Sequence, residues 1–392
     1  MIQLSERIHY VGVNDYDKEL FEGLWPLPYG VSYNSYLVVD EKVALIDTVE
    51  AGFEEEFLSN IYEAIGERAI DYLVVNHMEP DHSSLIAYML EKYPSLQIVA
   101  NAKTVPMLQG YYGTPQERIQ VIKEGDSLCL GSCSFSFHMI PMVHWPETMV
   151  TWLAEEGTLF AGDAFGTFKA VDDEVIDNEV TFEEYRDEMI RYYSNIVGKY
   201  GTPVQAALKK LSGLEIKRIC STHGPVWETS IPQVVALYDK MSRYEVERGV
   251  CIVYGSMYGN TAAAADALAM ELEARGIPYA IHDLACNNAG ELGVSGALRD
   301  VFKYDTIVVG SPTYNNGIFP PVETFMKALQ ARLVKGRRFF AFGSYTWSGA
   351  SVNQLNAMAE TMGYGILGAG LSFPQAYTRE KCDMSAVADM LA

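Results

Sequence analysis

The chain has 392 residues, of which 29 are basic and 51 acidic, giving a formal charge of −22. That balance argues against a nucleic-acid surface, which needs clustered Lys and Arg. Apolar residues at 49% against 20% charged mark a globular chain too long for one ordinary core, so two or three domains are expected. No apolar run approaches the length of a membrane span, and the opening residues lack a signal-peptide core. The six cysteines (Cys129, Cys133, Cys220, Cys251, Cys286, Cys382) contain no C-x-x-C pair. Together these features predict a cytoplasmic protein with no membrane contact and no disulfide framework.

Strand patterns fill the first 48 residues, with strands over 35–39 and 43–47 around the turn Asp40-Glu41-Lys42. A helix is expected over 53–65, then a buried strand over 71–76. His77-Met78-Glu79-Pro80-Asp81-His82 follow directly. Four groups able to bind a metal fall within that stretch, and Pro80 holds the chain off the strand path. A helix would aim ligands with i, i+4 spacing. Here the spacing is i, i+2, i+4, i+5, which predicts a loop folded around a pair of cations.

Helix and strand alternate to about residue 112, and short strands return between 119 and 160. Three further candidates sit beyond apolar segments: His144, Asp163 and His223, with Pro146, Gly166 and Gly224 turning the chain away. Any one of these histidines could be an ordinary core residue. Four of the seven in the chain, joined to Glu79, Asp81 and Asp163, fit one two-metal site at one end of a sheet sandwich. His9, His138 and His282 are read as structural. Strand-rich blocks with intervening helices predict two sheets packed together and covered outside by helices. Helices are expected over 182–197 and 231–247, and a boundary at 244–249.

From residue 250 the alternation is regular, with strands near 250, 279, 306, 339 and 366, the pattern of a doubly wound parallel sheet. Ser256-Met257-Tyr258-Gly259-Asn260-Thr261 join the first strand to an alanine-rich helix over 262–275. Small and hydroxyl residues at such a turn offer N–H and O–H donors to a phosphate. There is no P-loop lysine and no G-x-G-x-x-G, which weakens the triphosphate and dinucleotide readings. Two later loops, Ser311-Pro312-Thr313-Tyr314-Asn315-Asn316-Gly317 and Ser344-Tyr345-Thr346-Trp347-Ser348-Gly349, also follow strand ends, where such sheets bind ligands. Trp347 and Tyr314 are the candidates for an aromatic contact to that ligand.

The order H-x-E-x-D-H, His, Asp, His resembles the metallo-β-lactamase superfamily, with Glu79 where its zinc hydrolases carry a second histidine. The carboxylate suits redox-active iron better than zinc. The spelling S-x-Y-G-N-T looks like a flavodoxin loop for FMN. Over essentially its whole length the chain resembles a flavodiiron protein. The resemblance implies an α/β chain: an N-terminal αββα metallo-β-lactamase-like sandwich over 1–248, then a doubly wound flavodoxin-like domain over 249–392. It implies FMN and two non-haem irons, one held by His77, Glu79 and His144, the other by Asp81 and His223. Asp163 would bridge them, with His82 as a variable participant. The implied activity is reduction of dioxygen to water or nitric oxide to nitrous oxide. The resemblance also implies an external electron donor such as rubredoxin or a reduced deazaflavin, and the sequence does not say which. A head-to-tail homodimer, or a dimer of dimers, is also implied. Two rivals remain: a zinc hydrolase fused to a flavodoxin, and a non-catalytic electron carrier. Trp25, Pro26 and Tyr29 are guessed to line the substrate pocket.

Overall fold

The computed structural model describes residues 1–172, 174–285 and 292–392. Cys286 therefore lies outside the described residues, and the five described cysteines are free thiols. The chain divides into two compact units. The first comprises 1–21, 27–192 and 200–239; the second comprises 22–26, 193–199 and 240–392.

In the first unit a seven-stranded sheet runs in the spatial order Ile2–Gln3, Ile8–Tyr10, Tyr36–Val39, Val43–Ile46, Tyr72–Val74, Gln97–Asn101, Ile119–Ile122. Its first pairs are antiparallel and its later ones parallel. A second, five-stranded sheet is ordered Ser127–Cys129, Ser134–Met139, Met149–Leu153, Thr158–Gly162, Arg218–Ser221. The core between them joins Val38, Ala44, Ile46, Val74 and Val99 to Phe135, Phe137, Met149, Leu153 and Phe160. Successive side chains of a strand point to opposite faces. Val43 and Leu45, also fully buried, therefore lie on the outer face, toward helices such as Glu54–Ile65, which buries Phe57 and Ile61. Burial on both faces explains why these strands read as unbroken apolar runs. The layering is the αββα sandwich.

The second unit is an all-parallel sheet in the order Tyr279–Asp283, Glu247–Tyr254, Tyr304–Gly310, Arg338–Tyr345. Beyond it two short strands, Gly365–Ile366 and Leu371–Pro374, both pair with Arg338–Tyr345. Sequence order 2-1-3-4-5 puts the switch point between the first and third strands, where a ligand crevice opens at the carboxyl ends.

Several expected boundaries move. The fifth strand near 366 is split: Gly368 and Gly370 take positive φ, and a Cβ on Gly370 would meet Ala341 O at 2.6 Å. The helix expected over 182–197 ends as Thr181–Tyr192 and passes into a π turn, Tyr193–Val197. There Arg332 Nε donates to Ser194 O at 2.8 Å and Nη2 to Asn195 O at 3.1 Å, so the widened turn keeps partners for its carbonyls. The helix expected over 231–247 stops at Ser242, Tyr244 takes a positive φ, and the next strand begins at Glu247. Among the described residues no helix is long and apolar enough to cross a membrane.

Candidate active site

The organising stretch follows the strand Tyr72–Val74, but only its first half is the expected loop. Pro80–Ser83 form one helical turn that starts from extended Glu79 and is broken at His82, whose φ of −134° is not helical. Pro80 at the first helical position favours that turn, and Thr48 N and Oγ1 both donate to His82 O. The turn brings Asp81 and His82 to one side while His77 and Glu79 stay on the other. Asp163 follows the strand Thr158–Gly162 directly and His223 lies two residues beyond Arg218–Ser221, both as expected. His144 differs: its strand ends at Met139, and a loop carries it to the site.

The seven candidates gather into two buried groups, one of His77, Glu79, His144 and Asp163, the other of Asp81, His82 and His223. Asp163 faces both. Its Oδ2 lies 3.1 Å from His144 Nε2 and 3.4 Å from His77 Nε2. Its Oδ1 lies 3.2 Å from His82 Nε2 and 3.6 Å from His223 Nε2. Glu79 Oε2 closes the first group at 2.9 Å from His144 Nε2, and Asp81 Oδ2 the second at 3.2 Å from His223 Nε2.

Burial opposes the charged forms of His77, Glu79, His82, His144, Asp163 and His223, yet opposite charges at this range outweigh it. His144 and His77 hold the Glu79 carboxyl far below its ordinary range. Asp81 and Asp163 push His82 up to about 10. Without a cation the carboxylates keep histidines protonated, and a metal takes the place of those protons. The second group shows the need for one. Both Asp81 oxygens, both His82 ring nitrogens and His223 Nε2 are buried without a hydrogen-bond partner. Such groups are rare unless an ion or water completes them. Mixed nitrogen and carboxylate donors, with no thiolate, fit a pair of iron ions.

Other residues orient these ligands. His77 Nδ1 is 2.7 Å from Glu147 Oε1, His223 Nδ1 is 2.7 Å from Ser32 O, and Thr222 Oγ1 donates to Asp163 Oδ1 at 2.5 Å. Asp47, whose carboxyl burial pushes up to about 6, accepts the Asn76 N–H at 2.8 Å. The sequence reading missed all of them. Thr222 and Glu147 adjoin or lie close to candidate ligands in the chain, which is the one signal that marked them. Trp25 stacks under Arg332 and donates from Nε1 to Glu22, and Tyr29 is exposed. The rings around His223 are Phe21, Tyr33 and Tyr192, at 5.5–5.9 Å.

In the second unit the three loops converge on a cavity of about 370 Å³ at the carboxyl ends of the strands. Of the expected residues, Ser256, Met257, Tyr258, Asn260, Thr261, Pro312, Thr313, Tyr314, Asn315, Asn316, Ser344, Tyr345, Thr346, Trp347 and Ser348 line it. Gly259, Ser311, Gly317 and Gly349 do not, and Gln375, missed from the sequence, does. Gln375 follows the strand Leu371–Pro374, so the strand-end rule would have found it. Among the described residues, no lining residue is charged. The helix Asn260–Ala274 opens into this region after Gly259 at φ +83°, with no side-chain cap and no acidic residue in its first turn. Its free N–H groups and the surrounding hydroxyls suit a phosphate ester. Trp347 is 86% and Tyr258 89% exposed, which gives a flat ring system two faces to meet. These features fit FMN.

A family model described as ODP family beta lactamase matches residues 31–224, and a flavodoxin model matches 252–386. The anaerobic nitric oxide reductase flavorubredoxin of Vibrio vulnificus is 32% identical over 373 residues, 93% of this chain and 74% of that one. The same-named protein of Escherichia coli is 32% identical over 370 residues, covering 93% and 76%. Among solved structures, rubredoxin oxygen:oxidoreductase from Desulfovibrio gigas superposes with a TM-score of 0.92 at 28% identity, covering 99% of this chain and 97% of that one. The flavodiiron protein from Giardia intestinalis gives 0.92 at 27%, covering 100% and 95%. With the two-group metal site and the uncharged flavin cavity, these matches make the chain a member of the flavodiiron protein family, an FMN- and diiron-dependent oxidoreductase.

Proposed function

We propose that this protein reduces dioxygen to water, nitric oxide to nitrous oxide, or both, in the cytoplasm. On this reading residues 1–248 form the metal domain and 249–392 the FMN domain. His77, Glu79 and His144 would hold one iron, Asp81 and His223 the other with His82 as a variable participant, and Asp163 would be shared between them. The observation that carries the reading is the carboxylate of Asp163, with one oxygen turned to each group. When bound, FMN would supply electrons and the iron pair would supply Lewis-acid and redox chemistry toward a diatomic gas.

The chain's own residues do the rest. Asp163 sets the spacing of the two positions, and its hydrogen bond from Thr222 holds that carboxylate in place. Glu147 and the Ser32 carbonyl fix the Nδ1–H tautomers of His77 and His223, leaving each Nε2 for a metal. Phe21, Tyr33 and Tyr192 keep water away from His223. In the other unit, Asn260 and Thr261 at the helix start would hold the phosphate, and Trp347 with Tyr314 or Tyr258 would hold the ring system. The names of the relatives support a rubredoxin-type electron donor, and both gases as substrates. A head-to-tail homodimer or dimer of dimers belongs to the same proposal.

The test is protein purified without oxygen, assayed for iron, zinc and flavin, then for consumption of each gas under one saturating donor. Two irons and one FMN per chain with gas consumption support the reading. Zinc without iron would favour the hydrolase, and electron transfer without gas consumption the carrier.

A further inference from the structure

The two halves of the metal site differ in what stands behind their histidines. His77 Nδ1 lies 2.7 Å from Glu147 Oε1, so the ring offers its proton to a carboxylate and turns Nε2 to the metal side. The Glu147 side chain has no solvent exposure. Its Oε1 also accepts the Met78 N–H at 3.1 Å, and its backbone carbonyl accepts Asn101 Nδ2 at 2.6 Å. Trp145 stands edge-on to the His77 ring at 5.2 Å, which holds the ring plane.

Among the described residues the other half has no carboxylate hydrogen-bonded to a ring Nδ1, although Asp47 lies close enough to act on His82 through space. His223 Nδ1 donates over the same 2.7 Å to a neutral carbonyl, that of Ser32. Neither ring nitrogen of His82 has a hydrogen-bond partner. Asp47, the remaining buried carboxylate nearby, takes its hydrogen bond from the Asn76 backbone. A carboxylate acceptor draws the N–H proton further than a carbonyl does, and so makes the opposite nitrogen a stronger donor. A stronger donor stabilises the higher charge of a bound ion.

We infer that Glu147 is a positioning residue that makes the metal position served by His77 and His144 the easier of the two to oxidise. This rests on the diiron reading above. One electron withdrawn from a diferrous pair by an electrode then leaves Fe(III) at the His77 position and Fe(II) at the His223 position. The Nδ1 proton stays on His77.

The test is Glu147→Gln in full-length protein loaded with FMN and ⁵⁷Fe under argon. It keeps the size and an acceptor oxygen but removes the charge. Potentiometric titration followed by EPR and Mössbauer spectroscopy reads the midpoint of the first oxidation, and ferrous-ion titration reads affinity. The expected result is a positive shift of that midpoint and roughly 10- to 100-fold weaker binding at one of two positions. The FMN potentials act as the internal control and stay fixed. Glu147→Asp keeps the charge one methylene further back and gives a smaller shift in the same direction. Should Glu147→Gln fail to fold, Glu147→Asp alone decides, because an unmoved midpoint there contradicts the inference. Native potentials and affinities in Glu147→Gln overturn it, as does an equal shift in both variants, which would mark a packing role. Native protein that takes up no iron would instead sink the diiron reading itself.

Discussion

Asp163 shows how much of the chemistry rests on one side chain. It is fully buried, and each oxygen faces a different ligand group. Truncation removes the shared ligand and leaves the cationic histidines without their common partner. Asp163→Ala is therefore expected to lose both metals and all gas consumption while keeping FMN, as read by metal analysis and flavin absorbance. The candidate ligands were legible because a metal needs chemically rare donors, and four histidines with three carboxylates at strand ends stand out in sequence. The residues behind them were not legible. Glu147, Ser32, Thr222 and Asp47 are ordinary residues in number and kind, and only the folded path brings Glu147 and Ser32 to the rings, Thr222 to the Asp163 carboxylate and Asp47 to the Asn76 N–H. The neighbours of the early aromatic residues were not legible for the same reason. A tryptophan and a proline in an early loop carry no sign of which neighbour they will meet, and Trp25 met Arg332.

Among elements, the helix Asn260–Ala274 is the clearest case of local sequence serving a ligand. An uncapped first turn after a left-handed glycine is costly alone and useful beside an anion. Thr261→Asp, which adds a carboxylate to that turn, is expected to weaken FMN binding at least tenfold in fluorescence titration and to leave the iron content unchanged. Trp347→Ala should weaken FMN by about 0.5–1.5 kcal/mol, or roughly 2- to 12-fold, the usual value of one aromatic contact. The strand Tyr279–Asp283 and the helix Gly293–Lys303 are tied by buried Asp300, at 2.8 Å from both His282 Nε2 and Arg299 Nη2. Burial would raise its carboxyl, but these partners hold it below the ordinary aspartate range. A depressed folded pKa gives stability that is present above the ordinary value and lost as pH falls through the folded one. Asp300→Asn should therefore cost about 1–3 kcal/mol near neutral pH, and the difference from native should shrink in acid, as urea titrations at several pH values would read. Element boundaries were the least legible feature. The π turn Tyr193–Val197 and the early strand start at Glu247 arise from contacts made far along the chain, such as Arg332 reaching back to Ser194 and Asn195.

At the scale of the molecule, the two motif sets were legible together because each domain class writes its own period and its own strand-end loops. The sandwich reads as short strands and the second unit as strict alternation. The overall charge of −22 also has a consequence. Among the described residues the flavin cavity has no charged lining residue, so the field a donor meets there is set largely by the whole surface. Reduction of bound FMN by an anionic small reductant should speed up with added salt, and reduction by a cationic viologen should slow down, as stopped-flow absorbance would follow. The central claim is that buried nitrogen and carboxylate donors bridged by Asp163 hold two irons close enough to act as one centre. Mössbauer spectroscopy of ⁵⁷Fe-loaded protein, reduced without oxygen, tests it most directly. The account predicts two high-spin ferrous ions per chain that are magnetically coupled, with both ions, and so the coupling, lost in Asp163→Ala. A single uncoupled ion in native protein, or coupling that survives in Asp163→Ala, would contradict it.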